Sequence, residues 1–292
     1  MYELIKITDK CFYIESPAKI GLIKTSENKA CLIDSGNDKD AAKKVLKILN
    51  EMNLKLTAIY NTHSNADHIG GNKYLQTRTG CNIYSPTIEN AFTLYPQLEP
   101  AFLYGGYPFH DLCHKFLLAD QSFSRPLTED RLPEGIKAIS LPGHFFSMVG
   151  YKTDEDIVFL ADCLSSKKTL DKYAIGFIYD VKSYLETLEN IKKMDARIFI
   201  PSHAEPTQNI IPLANYNIQK VNEISEKILS ICSFPITFEN ILQKIFESYS
   251  LTMTYEQYVL VGSTVRSYLS YLKNRGDLDA YFEKNLLLWI KK

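Results

Sequence analysis

The sequence has little net charge and no long apolar run. Its 33 Lys and Arg residues nearly cancel its 34 Asp and Glu residues, so no overall field would attract nucleic acid or an anionic membrane. Residues 1–20 lack the uninterrupted apolar core of a signal peptide, and no later segment has the roughly 18 apolar residues of a membrane span. We therefore predict a cytoplasmic protein with no membrane partner.

Cysteines are few and widely spaced. The six cysteines include no CxxC pair, which argues against a zinc knuckle and against a compact disulfide framework. They are predicted to be mostly buried thiols in a reducing compartment. A composition of 45% hydrophobic and 23% charged residues is typical of a globular chain, and 292 residues suffice for two structural units.

Two parts of the chain repeat one order of elements: β-rich runs, a helix and a final strand. In the first part, residues 11–34 contain the runs CFYIE, IGLIKT and ACLID, residues 38–54 have helical periodicity, and TAIYNT is β-like. In the second part, GIKAISL, MVGYKT and DIVFLAD precede the helical VKSYLETLENIKKM and the strand RIFIPSH. The repetition predicts two halves packed as a sandwich.

Residues 86–135 are rich in aromatic residues and proline and resist assignment to a regular element. Two interpretations stay open, an insertion over a site and ordinary surface packing. His110 and His114 within this segment have the spacing of a metal pair on a helical face. Because no third ligand is evident nearby, we favour a structural role for them.

The chain becomes helical from about residue 215. Three helical segments follow one another. The last begins with a candidate capping box of Thr254 and Gln257 and ends at Gly276. GDLDAYFEKNLLLWI then predicts two short strands around a polar turn. We predict a first domain over residues 1–212 and a mostly helical, winged-helix-like domain over 213–292.

Nucleic acid is not the expected partner of the second domain. Winged helices often bind DNA, but residues 207–292 contain nine Lys or Arg against eight Asp or Glu. Phosphate binding requires a clearly basic surface. We therefore favour packing or a homodimer contact.

Four of the six histidines lie at the edges of predicted strands, together with two aspartates. His63, Asp67 and His68 follow the strand TAIY, in a segment whose two glycines, Gly70 and Gly71, allow close backbone contact. The others are His144, Asp162 and His203. Strand ends bring distant side chains into one cleft, so the pattern predicts a metal site.

These residues resemble the metallo-β-lactamase superfamily, whose signature THxHxDH is followed by His, Asp and His after successive strands. The resemblance covers about residues 5–210 and includes the turn Asp34-Ser35-Gly36. It implies an α/β fold, a four-layer αββα sandwich with metals at one edge. It assigns His63, position 65 and His144 to a first metal. It assigns Asp67, His68 and His203 to a second, with Asp162 bridging the two.

Position 65 departs from this signature, since Asn65 replaces a histidine. An amide oxygen is a weaker zinc ligand than an imidazole, so the first site should lose affinity while the second keeps its ligands. One or two divalent ions are expected, zinc foremost, with manganese or iron as alternatives.

The resemblance implies a metal-dependent hydrolase acting on a small molecule. A metal-bound hydroxide would attack an ester, thioester, amide or phosphodiester. Asp67 would orient the water and manage its proton, and Asn65, if it is no ligand, would donate a hydrogen bond to the nucleophile or the substrate.

Two other interpretations of the site stay open. His63, His144 and Asp162 have the composition of a non-haem iron site, as in mono-iron persulfide dioxygenases of the superfamily, whereas its flavodiiron members carry a carboxylate at position 65. A non-catalytic scaffold is the third interpretation. The C-terminal domain also resembles that of the β-lactamase-like protein 2 branch, which implies ribonuclease activity and leaves RNA as a less expected substrate.

Overall fold

The computed structural model describes residues 2–292, and the chain divides into two compact units that interleave along the sequence. The first unit comprises the chain up to Leu141, Phe146–Asp162 and Asp195–Asn209. The second comprises Pro142–Phe145, Cys163–Met194 and Ile210–Lys292. The predicted domain boundary between residues 212 and 213 stays a prediction. It is a single cut in the sequence, whereas each of these units is made of several separate segments.

The first unit contains a mixed sheet in which the strands follow one another in chain order. Strands β1 to β4 are antiparallel neighbours, and the pairs from β4 to β7 are parallel. The strands are β1 (Glu3–Lys6), β2 (Cys11–Glu15), β3 (Ile20–Ser26), β4 (Lys29–Ile33), β5 (Lys55–Tyr60), β6 (Asn82–Ser85) and β7 (Ser124–Pro126). The predicted meander and the strand before the metal motif are both present.

A second sheet has the order β11-β10-β9-β8. Its strands are β8 (Ile136–Ser140), β9 (Val149–Thr153), β10 (Ile157–Ser165) and β11 (Ile198–His203). Buried side chains of the two sheets share one apolar core, which includes Tyr60 from the first sheet and Tyr151 and Phe159 from the second. The sheets approach closely, because a Cβ on Gly21 would lie 2.8 Å from the Phe159 ring.

The other face of the first sheet is covered by helices of the same unit. Val45 and Leu49 of α1 (Lys39–Glu51) are buried against it, as the helical periodicity predicts. The further helices are α2 (Ala66–Ile69), α3 (Asn72–Thr79), α4 (Thr87–Leu94) and α5 (Leu98–Tyr104). The last two lie in the segment 86–135, so its first part is regular where the sequence showed no pattern.

The second unit is mostly helical. It contains α6 (Lys167–Tyr173), α7 (Val181–Ile191), α8 (Ile211–Ile231), α9 (Phe238–Ser248), α10 (Tyr255–Arg275), β12 (Leu278–Glu283) and β13 (Leu286–Lys291). The Thr254 side chain accepts the Gln257 N–H at 3.3 Å, and Gly276 ends α10 with a left-handed φ of 93°. Three helices and a hairpin are present as predicted, which confirms the α/β sandwich with a helical C-terminal region.

Within residues 2–292, no helix has the length and apolar character needed to span a bilayer. All six cysteines are free thiols, and Cys113 alone among them is partly exposed. The prediction of mostly buried thiols is therefore confirmed.

Candidate metal centre

Asp34 anchors the segment that carries the metal motif. It follows β4 with a left-handed φ of 61°. One carboxylate oxygen accepts the Thr62 N–H at 2.8 Å, and the other accepts the Thr62 hydroxyl at 2.7 Å and faces His68 Nδ1 at 2.8 Å. The Asp-Ser-Gly turn of the sequence thus fixes the loop after β5 to the end of β4.

Replacing Asp34 by Asn tests this anchor. Asn tolerates the left-handed conformation, so the substitution leaves the backbone unstrained and changes the hydrogen bonds. The amide nitrogen would face either the Thr62 N–H or the donors of Thr62 and His68, leaving buried donors unmatched. We expect the free energy of unfolding to fall by about 2–3 kcal/mol in a denaturant titration. An unchanged midpoint would contradict the anchoring role.

Gly70 and Gly71 allow the tight backbone contact expected after the motif. A Cβ on Gly70 would lie 2.3 Å from the Asn37 carbonyl oxygen, and one on Gly71 would lie 2.2 Å from that of Ser35. No side chain fits at such distances, so the short helix α2, with Asp67 and His68, is held directly against the turn after β4.

Four predicted ligands converge in the first unit: Asp67, His68, Asp162 and His203. Their ligand atoms all lie within 4.8 Å of one another. Asp162 is central, because one carboxylate oxygen lies 3.1 Å from His68 Nε2 and the other lies 3.1 Å from His203 Nε2. His203 Nε2 is also 3.3 Å from Asp67. The side chains of His203 and Asp67 are 28% and 37% exposed, so the cluster opens to solvent on their side.

Each of the four predicted histidine ligands has its Nδ1 held by a neighbour. His68 Nδ1 faces Asp34, His203 Nδ1 donates to the Pro17 carbonyl at 2.8 Å, and His144 Nδ1 donates to the Phe177 carbonyl at 3.0 Å. His63 Nδ1 lies 3.0 Å from the Thr62 hydroxyl, which accepts from it because its own proton goes to Asp34. This arrangement fixes the tautomer, so that Nε2 is the ring nitrogen able to ligate a metal.

Charge interactions dominate the pKa values in the cluster. Burial alone would lower the pKa of both clustered histidines, but the Asp162 and Asp67 carboxylates raise that of His203 to about 10 and that of His68 well above its ordinary value. Burial likewise opposes ionisation of Asp162, yet His203 and His68 hold its pKa well below the usual range. A divalent ion carries the same charge as two imidazolium protons and would replace them between these carboxylates.

His63 and His144 are described within their own units. His63 follows β5 in the first unit, is fully buried, and has its ring centroid 4.1 Å from that of His68. His144 belongs to the second unit, where its ring also packs edge-on against Phe177 at 5.5 Å. Their assignment to a first metal rests on the signature.

Asn65 makes a contact that the sequence did not predict. Its Nδ2 donates to Oε1 of Glu99 at 2.6 Å. Glu99 lies on α5 and is 4% exposed. Burial is the main cause that raises the pKa of Glu99 to about 8, while the hydrogen bond from Asn65 opposes that rise. The one available signal was a single carboxylate in the otherwise apolar run LEPAFLY.

The segment 86–135 makes two further contacts, one with helix α2 and one with the start of helix α1. Ala119 is buried against Ala66 and Ile69 of α2. Lys115 Nζ lies 3.1 Å from the carboxylate of Asp38, the N-cap of α1. Together with Glu99, these contacts favour the interpretation of an insertion over the site.

The weaker candidates of the insertion do not form a second metal centre. Among the residues described, the groups of three or more metal-ligating side chains contain neither His110 nor His114. Tyr107 is 97% exposed, while Tyr104 and Phe109 pack edge-on at 5.5 Å. A pocket role for these aromatic residues stays a prediction.

Fold and site together define a metal-binding α/β sandwich protein. Residues 14–203, more than half of the chain, match the family model of the metallo-β-lactamase superfamily. The chain therefore belongs to the metallo-β-lactamase superfamily.

Two solved structures are similar over nearly the whole chain. A β-lactamase domain protein from Burkholderia ambifaria has a TM-score of 0.76 at 14% identity, covering 99% of this chain and 94% of its own. A metallo-β-lactamase family protein from Thermus thermophilus has a TM-score of 0.72 at 15% identity, covering 99% and 98%. At such identities the likeness concerns the fold alone.

A curated relative is similar to this chain over a short segment. It is the hydroxyacylglutathione hydrolase of Pelagibacter ubique, 39% identical over 62 residues. These residues are 21% of this chain and 24% of the relative, so the match spans about a quarter of the relative's length.

Proposed function

We propose that this protein is a metal-dependent hydrolase that binds one divalent ion tightly through Asp67, His68, Asp162 and His203. The proposal rests on the convergence of two imidazole Nε2 atoms and two carboxylates. The Nδ1 atoms of both imidazoles are hydrogen-bonded, to Asp34 and to the Pro17 carbonyl. Zinc suits such a nitrogen and oxygen donor set, and manganese is the first alternative.

A divalent ion held there lowers the pKa of water and polarises an electrophilic centre. The chain's own groups supply orientation and proton handling. Asp67 is the more exposed of the two clustered carboxylates, and its pKa is held low by His68 and His203 against the effect of burial. An ionised carboxylate at the open side of the cluster can accept a hydrogen bond from the nucleophilic water and orient it, and the transfer of the water's proton to Asp67 stays a prediction.

The first metal site is proposed to be weaker. His63, Asn65 and, by the family signature, His144 would supply two imidazoles and one amide oxygen, where the family has a third imidazole. That Asn65 donates a hydrogen bond to the nucleophile or the substrate stays a prediction. Its Nδ2 already donates to Glu99.

The substrate class is an ester, thioester, amide or phosphodiester of a small molecule. The segment similar to a hydroxyacylglutathione hydrolase supports including a hydroxyacylglutathione among the first substrates tested. The winged-helix likeness of the C-terminal region, its place in the β-lactamase-like protein 2 branch, a homodimer contact and a cytoplasmic location are further proposals that rest on the sequence.

Hydrolysis of generic probes tests the function. Protein loaded with Zn²⁺ or Mn²⁺ should hydrolyse at least one ester, thioester or phosphodiester probe, and a chelator should abolish the activity. His203→Ala should lower the rate by roughly 100-fold or more, since even residues that support a metal ligand contribute 10–100-fold. His110→Ala is the matched control, because His110 is exposed and outside the cluster.

Three outcomes would contradict the proposal: activity that survives chelation, equal rates in the two histidine variants, or no hydrolysis of any probe. Bound iron with oxygen consumption in the presence of a persulfide would instead favour the dioxygenase alternative. Circular dichroism melts of both variants show whether a lost activity reflects the site or the fold.

A further inference from the structure

The side chain of Asn65 is turned away from the role that asparagine usually has at its position. Asn65 is the N-cap of α2, where an asparagine oxygen commonly accepts an N–H of the first helical turn. Here the side chain makes no capping hydrogen bond. Its nitrogen is directed to Glu99 instead, at 2.6 Å.

Glu99 is built into the fold at this point. Its side chain is buried on helix α5, and one of its carboxylate oxygens lies 2.6 Å from the amide nitrogen of Asn65. A buried carboxylate is stabilised by hydrogen-bond donors, and Asn65 supplies one.

This contact decides which end of the amide is available to an ion. The oxygen and nitrogen of a planar amide lie on opposite sides of Cγ, and only the oxygen can ligate a metal. With Nδ2 fixed on Glu99, Oδ1 is turned away from that carboxylate. The opposite rotation would break the hydrogen bond from Nδ2 to Oε1 of Glu99.

We propose that Glu99 is a positioning residue of the altered first metal site, holding the amide of Asn65 so that its oxygen serves as the ligand. This inference rests on the proposed function, because it assumes that the second site binds a metal. Carboxylates commonly orient metal-ligating histidines in this way. Here the oriented group is an amide.

Cobalt titration of the metal-free full-length protein provides the test, with Co²⁺ binding followed by its absorption bands and by equilibrium dialysis. Wild type should show one tight and one weaker binding event. Glu99→Gln should raise the dissociation constant of the weaker event by about tenfold, because a neutral amide oxygen is a weaker hydrogen-bond acceptor than a carboxylate and holds the Asn65 amide less firmly. The tight event is the internal control and should not change.

Two double variants separate positioning from a general structural effect. In the Asn65→Ala background, Glu99→Gln should have no further effect on the weaker event. The pair Asn65→Asp with Glu99→Gln reverses donor and acceptor, and it should bind the second Co²⁺ at least about tenfold more tightly than Asn65→Asp alone, in which two carboxylates face each other.

The outcomes distinguish this inference from the proposed function. Absence of the tight event in wild type would contradict the proposed function itself. A tight event without a weaker one, a weaker event insensitive to Glu99→Gln, or an effect of Glu99→Gln that persists in the Asn65→Ala background would each overturn the positioning role. Loss of the weaker event that is reversed by the donor and acceptor exchange would support it.

Discussion

Replacing Asp162 by Asn should abolish tight metal binding and lower hydrolysis by roughly 100-fold or more. Asp162 is the one clustered residue whose two oxygens each face a different imidazole, His68 and His203, both at 3.1 Å. Asparagine keeps the shape but presents a non-ligating nitrogen on one side. The variant would also remove one of the carboxylate charges that raise the pKa values of His68 and His203.

Asp156→Asn provides the matched control for this prediction. Asp156 lies just before β10, is exposed, and pairs with Lys152 at 2.9 Å on the surface. Its left-handed φ of 58° suits asparagine, and exposed ion pairs contribute at most about 1 kcal/mol. Metal content and turnover should equal those of wild type. Asp162→Asn protein that still binds one ion tightly would refute the assignment of the cluster.

Replacing Asn65 by His should raise the number of tightly bound ions from about one to about two per chain. The substitution restores the family signature at the one position where this sequence departs from it. Glu99 would then accept a hydrogen bond from the new imidazole, the arrangement that commonly orients a metal-ligating histidine. Binding stoichiometry by equilibrium dialysis and elemental analysis measures the effect. An unchanged stoichiometry would show that position 65 does not limit the first site.

The parts of the molecule that the sequence predicted are those with strong local periodicity. Helix α1 shows apolar residues at helical spacing and carries Asp38 as its N-cap, and β5 follows as a short β-rich run. The candidate ligands were predicted from their order and from their places near strand ends, although Asp162 lies within β10 rather than at its end. The convergence of Asp67, His68, Asp162 and His203 follows from the sandwich, which brings β10 and the end of β11 to the loop after β5.

The parts that were not predictable depend on contacts between distant residues. Helix α5 spans seven residues, LEPAFLY, too few to show an amphipathic pattern. That Glu99 reaches Asn65 is a property of the tertiary fold. The acceptors that hold His203 and His144 are the backbone carbonyls of Pro17 and Phe177, which leave no signal in residue types.

The asparagine at position 65 is accompanied by a specific hydrogen-bond partner, the buried carboxylate of Glu99. A sequence comparison shows a lost imidazole, whereas the structure shows that the replacing amide is paired with a buried carboxylate on an inserted helix. The insertion also covers α2 through Ala119, so the segment that differs most from a regular pattern is the one that contacts the altered position. Asn65 and Glu99 form a hydrogen-bonded pair, so a substitution of either residue changes the surroundings of the other.

We propose that the second site alone binds a metal tightly. A zinc titration of metal-free wild-type protein tests this most directly. Dialysis at increasing free Zn²⁺, with elemental analysis of each sample, should give a plateau at about one ion per chain before any further binding. A direct rise to two ions of equal affinity would contradict the proposed weakness of the first site. No bound zinc at any concentration would contradict the metal centre itself.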